Sequence, residues 1–114
     1  MTLSVYHLKS CDTCRKAIKE LKEHHSDLNL MDVRADGVAE ETLHTWVKQI
    51  GYEPLLNTRS TTWRALDEAV KEDMDSEKAL ALISKHPTLI KRPVITDGDT
   101  ITVGWKADAK EAWT

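Results

Sequence analysis

Apolar and polar positions alternate along "LSVYHL" (residues 3–8), with Leu3 and Val5 on the inward side, and this period of two predicts a short β-strand. Past the polar turn "KSCD" the period changes. Cys14, Ala17, Ile18 and Leu21 fall at i, i+3, i+4 and i+7, the apolar stripe of an amphipathic helix. Asp12 and Thr13 suit the first turn of that helix. Lys22, His24 and His25 suit its last turn, where the macrodipole favours cations. "LNLMDV" (residues 28–33) predicts a second strand. A helical crossover between neighbouring strands implies parallel pairing, so the chain opens as β-α-β.

The middle of the chain switches to helical spacing. Leu43, Trp46, Val47 and Ile50 predict a helix over residues 39–51, with Gly51 as its stop. Trp63, Leu66 and Val70 share one face of a helix predicted over residues 61–70, with a threonine available to cap it. A third helix is expected over residues 76–86, from a capping Ser76 to the residue before Pro87. Trp46 and Trp63 are read as core residues. "RPVIT" (residues 92–96) and "TITVGW" (residues 100–105), joined by "DGD", predict a hairpin, and residues 107–113 a closing helix. The expected architecture is a single α/β domain with a small mixed sheet. Its core comprises residues 1–36 and 91–114, and a helical insert spans about residues 37–90.

Composition narrows the function classes. A chain of 114 residues supports one real core, not two. The net charge is −3, with acids and bases interleaved, so the basic face of a nucleic-acid binder is not expected. No apolar run approaches the roughly 20 residues of a membrane span. The start, "MTLSVYHLKS", lacks the basic lead and long apolar run of a secretory signal. A cytoplasmic location is therefore expected, where a lasting structural disulfide is uncommon.

The candidate chemistry lies in "KSCDTCRKA", where Cys11 and Cys14 are three positions apart at the mouth of the first helix. A zinc site needs about four ligands, usually in two spaced pairs, and no second C-x-x-C is present, so no metal is expected. Cys14 lies on the apolar stripe and also reads as an ordinary buried thiol. Cys11, in a polar turn, does not. A thiol at a helix N-terminus lies beside unpaired backbone N–H groups and the positive end of the dipole, which favour the thiolate. Residues i and i+3 on one turn, with Cα atoms roughly 5–6 Å apart, permit a disulfide with little strain. A C-x-x-C beside a β-α-β pattern reads as a thioredoxin-like redox motif. Lys9, Arg15 and Lys16 add positive charge nearby. Two readings stand for His7, a strand-end histidine or a charge partner of the Cys11 thiolate. Pro93 opens a strand, which calls for an edge, a bulge or a cis bond; by analogy with thioredoxin-like folds a cis-proline there faces the C-x-x-C, and otherwise Arg92 is a solvated arginine and Pro93 an ordinary trans strand start.

Four stretches in order carry a resemblance: "YHLKSCDTCRKA", "LLNTRSTTWRALDE", "HPTLIKRPVI" and "TVGWKAD". Together they resemble the arsenate reductase/Spx/YffB family, a thioredoxin-like group with a helical insert. The resemblance implies that Cys11 is the nucleophile and that Cys14 is a possible resolving thiol. It implies that His7, Arg15, Arg59 and Arg92 contact the thiolate or an anion, and that Pro93 is the structural cis-proline. The arginine that arsenate reductases carry a third time is replaced by Gly104, and Arg59 is displaced by two positions. Cys14 resembles the pair of the Spx regulators, and "LLNTRSTTWRALDE" resembles the YffB branch. The implied function is a cytoplasmic thiol–disulfide oxidoreductase with no bound cofactor, using glutathione as reductant and with glutaredoxin as a further partner. The alternatives are a redox-sensing transcriptional regulator of Spx type that binds RNA polymerase, and an arsenate reductase.

Overall fold

A computed structural model of the protein describes residues 2–114. The chain divides into two compact units, one built from the segment up to Asp36 together with Arg92–Thr114, the other from Gly37–Lys91.

The first unit opens with β1 (Leu3–His7), α1 (Asp12–His24) and β2 (Leu28–Asp32). β1 and β2 pair in parallel, with Leu3 opposite Leu28 and His7 opposite Asp32. Val33 extends this ladder by donating its N–H to the His7 carbonyl at 2.8 Å. The stripe read from the sequence is the buried face of α1, since Cys14, Ala17 and Leu21 are all fully enclosed.

The second unit holds α2 (Glu40–Ile50), α3 (Thr61–Ala65), α4 (Glu68–Lys71), α5 (Ser76–Lys85) and a 3-10 turn at Pro87–Leu89. α2 ends at Gly51, whose φ of 82° is a left-handed stop that suits glycine. α2 packs on α5, burying Leu43, Trp46, Ala79 and Ile83. Three expectations are corrected here. The helix over residues 61–70 is two short helices, because Leu66 and Asp67 both adopt extended backbone (ψ 149° and 144°). Trp63 and Val70 therefore share no continuous face. Trp63 is half-buried under the Lys71 ammonium, 5.5 Å from its ring centroid, and Val70 is exposed. The caps also differ: Ser60 Oγ accepts from the Trp63 N–H at 3.1 Å, and Asp75 Oδ1 from the Lys78 N–H at 2.8 Å, so neither a threonine nor Ser76 caps. Asp and Ser are favoured at this position because a short side-chain oxygen reaches an orphan N–H.

The chain then returns to the first unit with β3 (Val94–Thr96), β4 (Ile101–Val103) and α6 (Ala107–Trp113). β3 lies antiparallel to β1, with Val5 opposite Ile95, and β4 antiparallel to β3. The sheet order is β2-β1-β3-β4, a mixed sheet. One core unites Leu3 and Val5 of β1, Ala17 and Leu21 of α1, Ile95 of β3, Trp105, and Ala109 and Trp113 of α6. The buried indoles keep their polar tips satisfied. Trp113 Nε1 donates to Thr102 Oγ1 at 2.8 Å, and Trp105 Nε1 to Glu20 Oε2 at 3.2 Å. This core seats α1 firmly on the sheet, so the N-terminus of α1 has a defined place at the end of β1. No helix among the described residues is long and apolar enough to cross a membrane.

Candidate active site

The thiol loop follows directly from the end of β1. Leu8 accepts the Cys11 N–H on its carbonyl at 2.9 Å, which folds residues 8–11 into a tight turn. Cys11 is the N-cap of α1 (φ −90°, ψ 114°), and its carbonyl accepts the first helical bond, from the Arg15 N–H at 3.1 Å. The helix phase then sends the two cysteines to different environments. Cys14 is fully buried on the apolar stripe, whereas Cys11 is partly open to solvent.

Their acidities diverge accordingly. Burial works against the Cys11 thiolate, but it is outweighed. The Cys14 thiol and the Cys14 backbone N–H both favour the anion, and the Arg92 guanidinium adds its charge and a hydrogen bond, so the Cys11 pKa falls below the ordinary thiol value. No ordinary side-chain hydrogen bond caps α1. The polarised Cys14 N–H is thus an acceptor-seeking group for which a thiolate is the better match. Cys14 moves the other way, to about 12: burial dominates, and the hydrogen bond and negative charge of Cys11 add to it, against smaller opposition from the Leu8 N–H and Arg92.

Arg92 arrives from the far end of the chain. It directly precedes Pro93, the Arg92–Pro93 peptide is cis, and β3 begins one residue later. The Pro93 carbonyl accepts the Gly104 N–H at 2.9 Å, which sets position 104 beside the proline. Gly104 has φ 86°, a left-handed conformation that an arginine would adopt only under strain.

Arg15 holds the thiol loop. Its Nε donates to the Lys9 carbonyl at 3.0 Å, and its Nη1 lies 3.4 Å from Asp12 Oδ1 in an exposed pair. His7 faces Asp32 across the parallel ladder, and its charge acts on that carboxylate, while the groups acting on Cys11 are Cys14 and Arg92. Arg59 belongs to the second unit, exposed on the turn before α3, where its N–H donates to Asn57 Oδ1 at 3.1 Å. Among the described residues no group of three His, Cys, Asp or Glu could hold a metal.

One residue of this region went unread in the sequence. Asp32, the last residue of β2, is buried and accepts three backbone N–H bonds: from Arg34 and Ala35 on Oδ1 (2.9 and 3.0 Å) and from Lys9 on Oδ2 (3.1 Å). Its pKa is lowered, first by the Ala35 N–H against the cost of burial, then by the Lys9 and Arg34 N–H groups, with a smaller effect from His7. An aspartate at a strand end, immediately before a turn, is an Asx-turn signal that the alternation of "LNLMDV" conceals.

A parallel β-α-β opening, a C-x-x-C at the start of its helix and a cis-proline leading into the next strand define a thioredoxin-like fold. The chain belongs to the ArsC family, whose model matches residues 6–113. An uncharacterized protein of Haemophilus influenzae is 41% identical over 110 residues, 96% of each chain. The solved structure of the YFFB (PA3664) protein superposes with a TM-score of 0.90 at 40% identity, covering 97% of each chain. The global transcriptional regulator Spx of Streptococcus pyogenes is 29% identical over 106 residues, 91% of this chain and 78% of that protein. The protein is thus a member of the thioredoxin-like ArsC, Spx and YffB group, a thiol-redox family.

Proposed function

We propose that this protein is a cytoplasmic thiol–disulfide oxidoreductase that draws its electrons from glutathione. The observation that carries the reading is the divergence of the two thiols: a partly exposed Cys11 favoured as thiolate beside a buried Cys14 held as thiol. The Cys11 thiolate attacks one sulfur of a substrate disulfide. That S–S bond breaks, the departing thiolate takes a proton from solvent, and a mixed disulfide remains on Cys11. Forming it removes the negative charge and the hydrogen bond of Cys11 that raise Cys14. The Leu8 N–H and Arg92 then act on Cys14 with less opposition, and its thiolate attacks Cys11, expelling the second substrate thiol. Two glutathione thiols reduce the Cys11–Cys14 disulfide and leave as oxidised glutathione. Arg92 offers planar, paired donors to the substrate's anionic group, an oxyanion or a glutathione carboxylate. Arg15 enters as an anion contact and glutaredoxin as a partner, both on the family resemblance.

The test is steady-state turnover of a glutathione mixed disulfide with glutathione as reductant. Turnover is expected for the parent and lost in Cys11→Ser. No turnover by the parent overturns the proposal.

The likeness to Spx, combined with the C-x-x-C pair, favours a second reading, a redox-controlled regulator that binds RNA polymerase. A stoichiometric complex with RNA polymerase that responds to oxidation, without turnover, would favour it over the enzyme.

A further inference from the structure

The Lys9 peptide is gripped from both sides. Its carbonyl accepts from Arg15 Nε at 3.0 Å, and its N–H donates to Asp32 Oδ2 at 3.1 Å. Arg15 is exposed, and its contacts are local to the thiol loop and α1. Asp32 is buried, lies 23 residues further along the chain, and is itself tightly held. Its other oxygen closes the turn after β2 on Arg34 and Ala35, while the Asp32 N–H donates to Asp36 Oδ2 at 2.9 Å and its carbonyl accepts the Asp36 N–H at 2.8 Å. Leu8, Lys9 and Ser10 border an open depression together with Asp32, Arg34 and Ala35, so on that side the loop is held by hydrogen bonds rather than by close packing.

We infer that Asp32 is a positioning residue for the nucleophile: its carboxylate latches the Lys9 peptide to the end of β2 and so holds Cys11 against Arg92 and the first turn of α1. The inference rests on Cys11 being the reactive thiolate. The titratable and charged neighbours around the latch are His7, Lys9, Arg34 and Asp36. A bare charge effect of Asp32 has the opposite sign to the latch. A carboxylate near a thiolate repels it, so neutralising Asp32 would make Cys11 more acidic if charge were all that mattered. Breaking the latch withdraws Cys11 from the groups that favour its anion and makes it less acidic.

Asp32→Asn separates the two. An asparagine that keeps its carbonyl oxygen on the Arg34 and Ala35 N–H groups turns its NH2 toward the Lys9 N–H, where two donors meet and no bond forms. Asp32→Ser is the second variant, since a hydroxyl still serves the turn but is too short to span to Lys9. The experiment measures the pH dependence of iodoacetamide reaction at Cys11 in a Cys14→Ser background, at a temperature where each variant gives the parent circular-dichroism spectrum. The latch predicts a profile displaced to higher pH and a rate near neutral pH about threefold or more slower. It also predicts that Arg92→Ala slows the reaction less in the Asp32→Asn background than in the parent. A general loss of stability would not produce that coupling. Profiles that overlay the parent, or move to lower pH, overturn the inference while leaving the Cys11 thiolate intact. A parent Cys11 that titrates as an ordinary thiol overturns both. Should Asp32→Asn not fold, the Asp32→Ser profile and its Arg92→Ala coupling decide on the same terms.

Discussion

Cys11, the N-cap of α1, and Cys14, in its first turn, diverge in acidity: the Cys11 pKa is lowered, because the cost of its burial is outweighed by the Cys14 thiol and N–H and then by Arg92, whereas that of Cys14 is raised to about 12, chiefly by burial. Each is part of the other's environment. The Cys14 thiol donates toward the Cys11 anion, and that anion in turn keeps Cys14 protonated.

Mild oxidant should convert the pair to an intramolecular disulfide, since the i, i+3 spacing at a helix start suits the bond. Mass spectrometry after alkylation of the folded, oxidised protein reads it. If both thiols still alkylate, Cys14 is not the resolving thiol.

Removing the donor at position 14 should change Cys11 without touching it. Cys14→Ala deletes the side-chain hydrogen bond that favours the anion. Alkylation of Cys11 near neutral pH should slow by about 3- to 10-fold, whereas Cys14→Ser, which retains a donor, should stay close to the parent. Equal rates for the two variants would mean that the thiol contact contributes nothing.

Arg92→Ala should displace the Cys11 alkylation profile to higher pH with the fold intact. Arg92→Lys should recover part of that displacement, since the charge remains, but less of any anion binding, since the planar fork is lost. The comparison is made in the Cys14→Ser background. An Arg92→Ala profile lying on the parent curve would show that the guanidinium does not act on the thiolate.

Arsenate should be turned over weakly at most. Position 104 is bonded to the Pro93 carbonyl and holds a glycine at φ 86°, so no guanidinium is available there for a dianion. One missing charge-assisted hydrogen bond costs roughly 1.5–3 kcal/mol, about 10- to 150-fold in affinity. The purified protein, supplied with glutathione and glutaredoxin, provides the assay. Robust arsenate reduction would contradict the expectation.

Asp32 should leave a mark on acid stability. Its folded pKa lies below the ordinary carboxylate value, so its stabilising effect is fully present above the unfolded pKa and fades as the pH falls through the folded value. Urea unfolding should find Asp32→Asn less stable than the parent at pH 7, with the gap closing in acid, below the ordinary carboxylate pKa. A gap that is constant with pH would show that the carboxylate's charge plays no part.

Much of this was legible in the residues. The period of two in "LSVYHL" and the stripe of Cys14, Ala17, Ile18 and Leu21 specify the β-α-β opening, because a strand and a helix each bury one face and the spacing of apolar residues names that face. The same stripe already marks Cys14 as the inward thiol and Cys11 as the outward one. Local pattern served less well over residues 61–70. Trp63, Leu66 and Val70 are spaced for a helix, but an extended Leu66 and Asp67 cost the pattern its continuity.

What the sequence determined alone was the β-α-β opening, the closing hairpin and helix, and the residues at the start of α1, each set by neighbours within a few residues. Three things belonged to the tertiary structure. Arg92 acts on Cys11 across 81 positions of chain. His7 meets Asp32 through a parallel register that no local pattern specifies. The Lys9 N–H finds a carboxylate on another strand end. Each depends on how α1 and the strands pack about one core. A charge or a hydrogen bond acts through a few ångströms of space, and the sequence alone does not say which distant residues the packing brings that close.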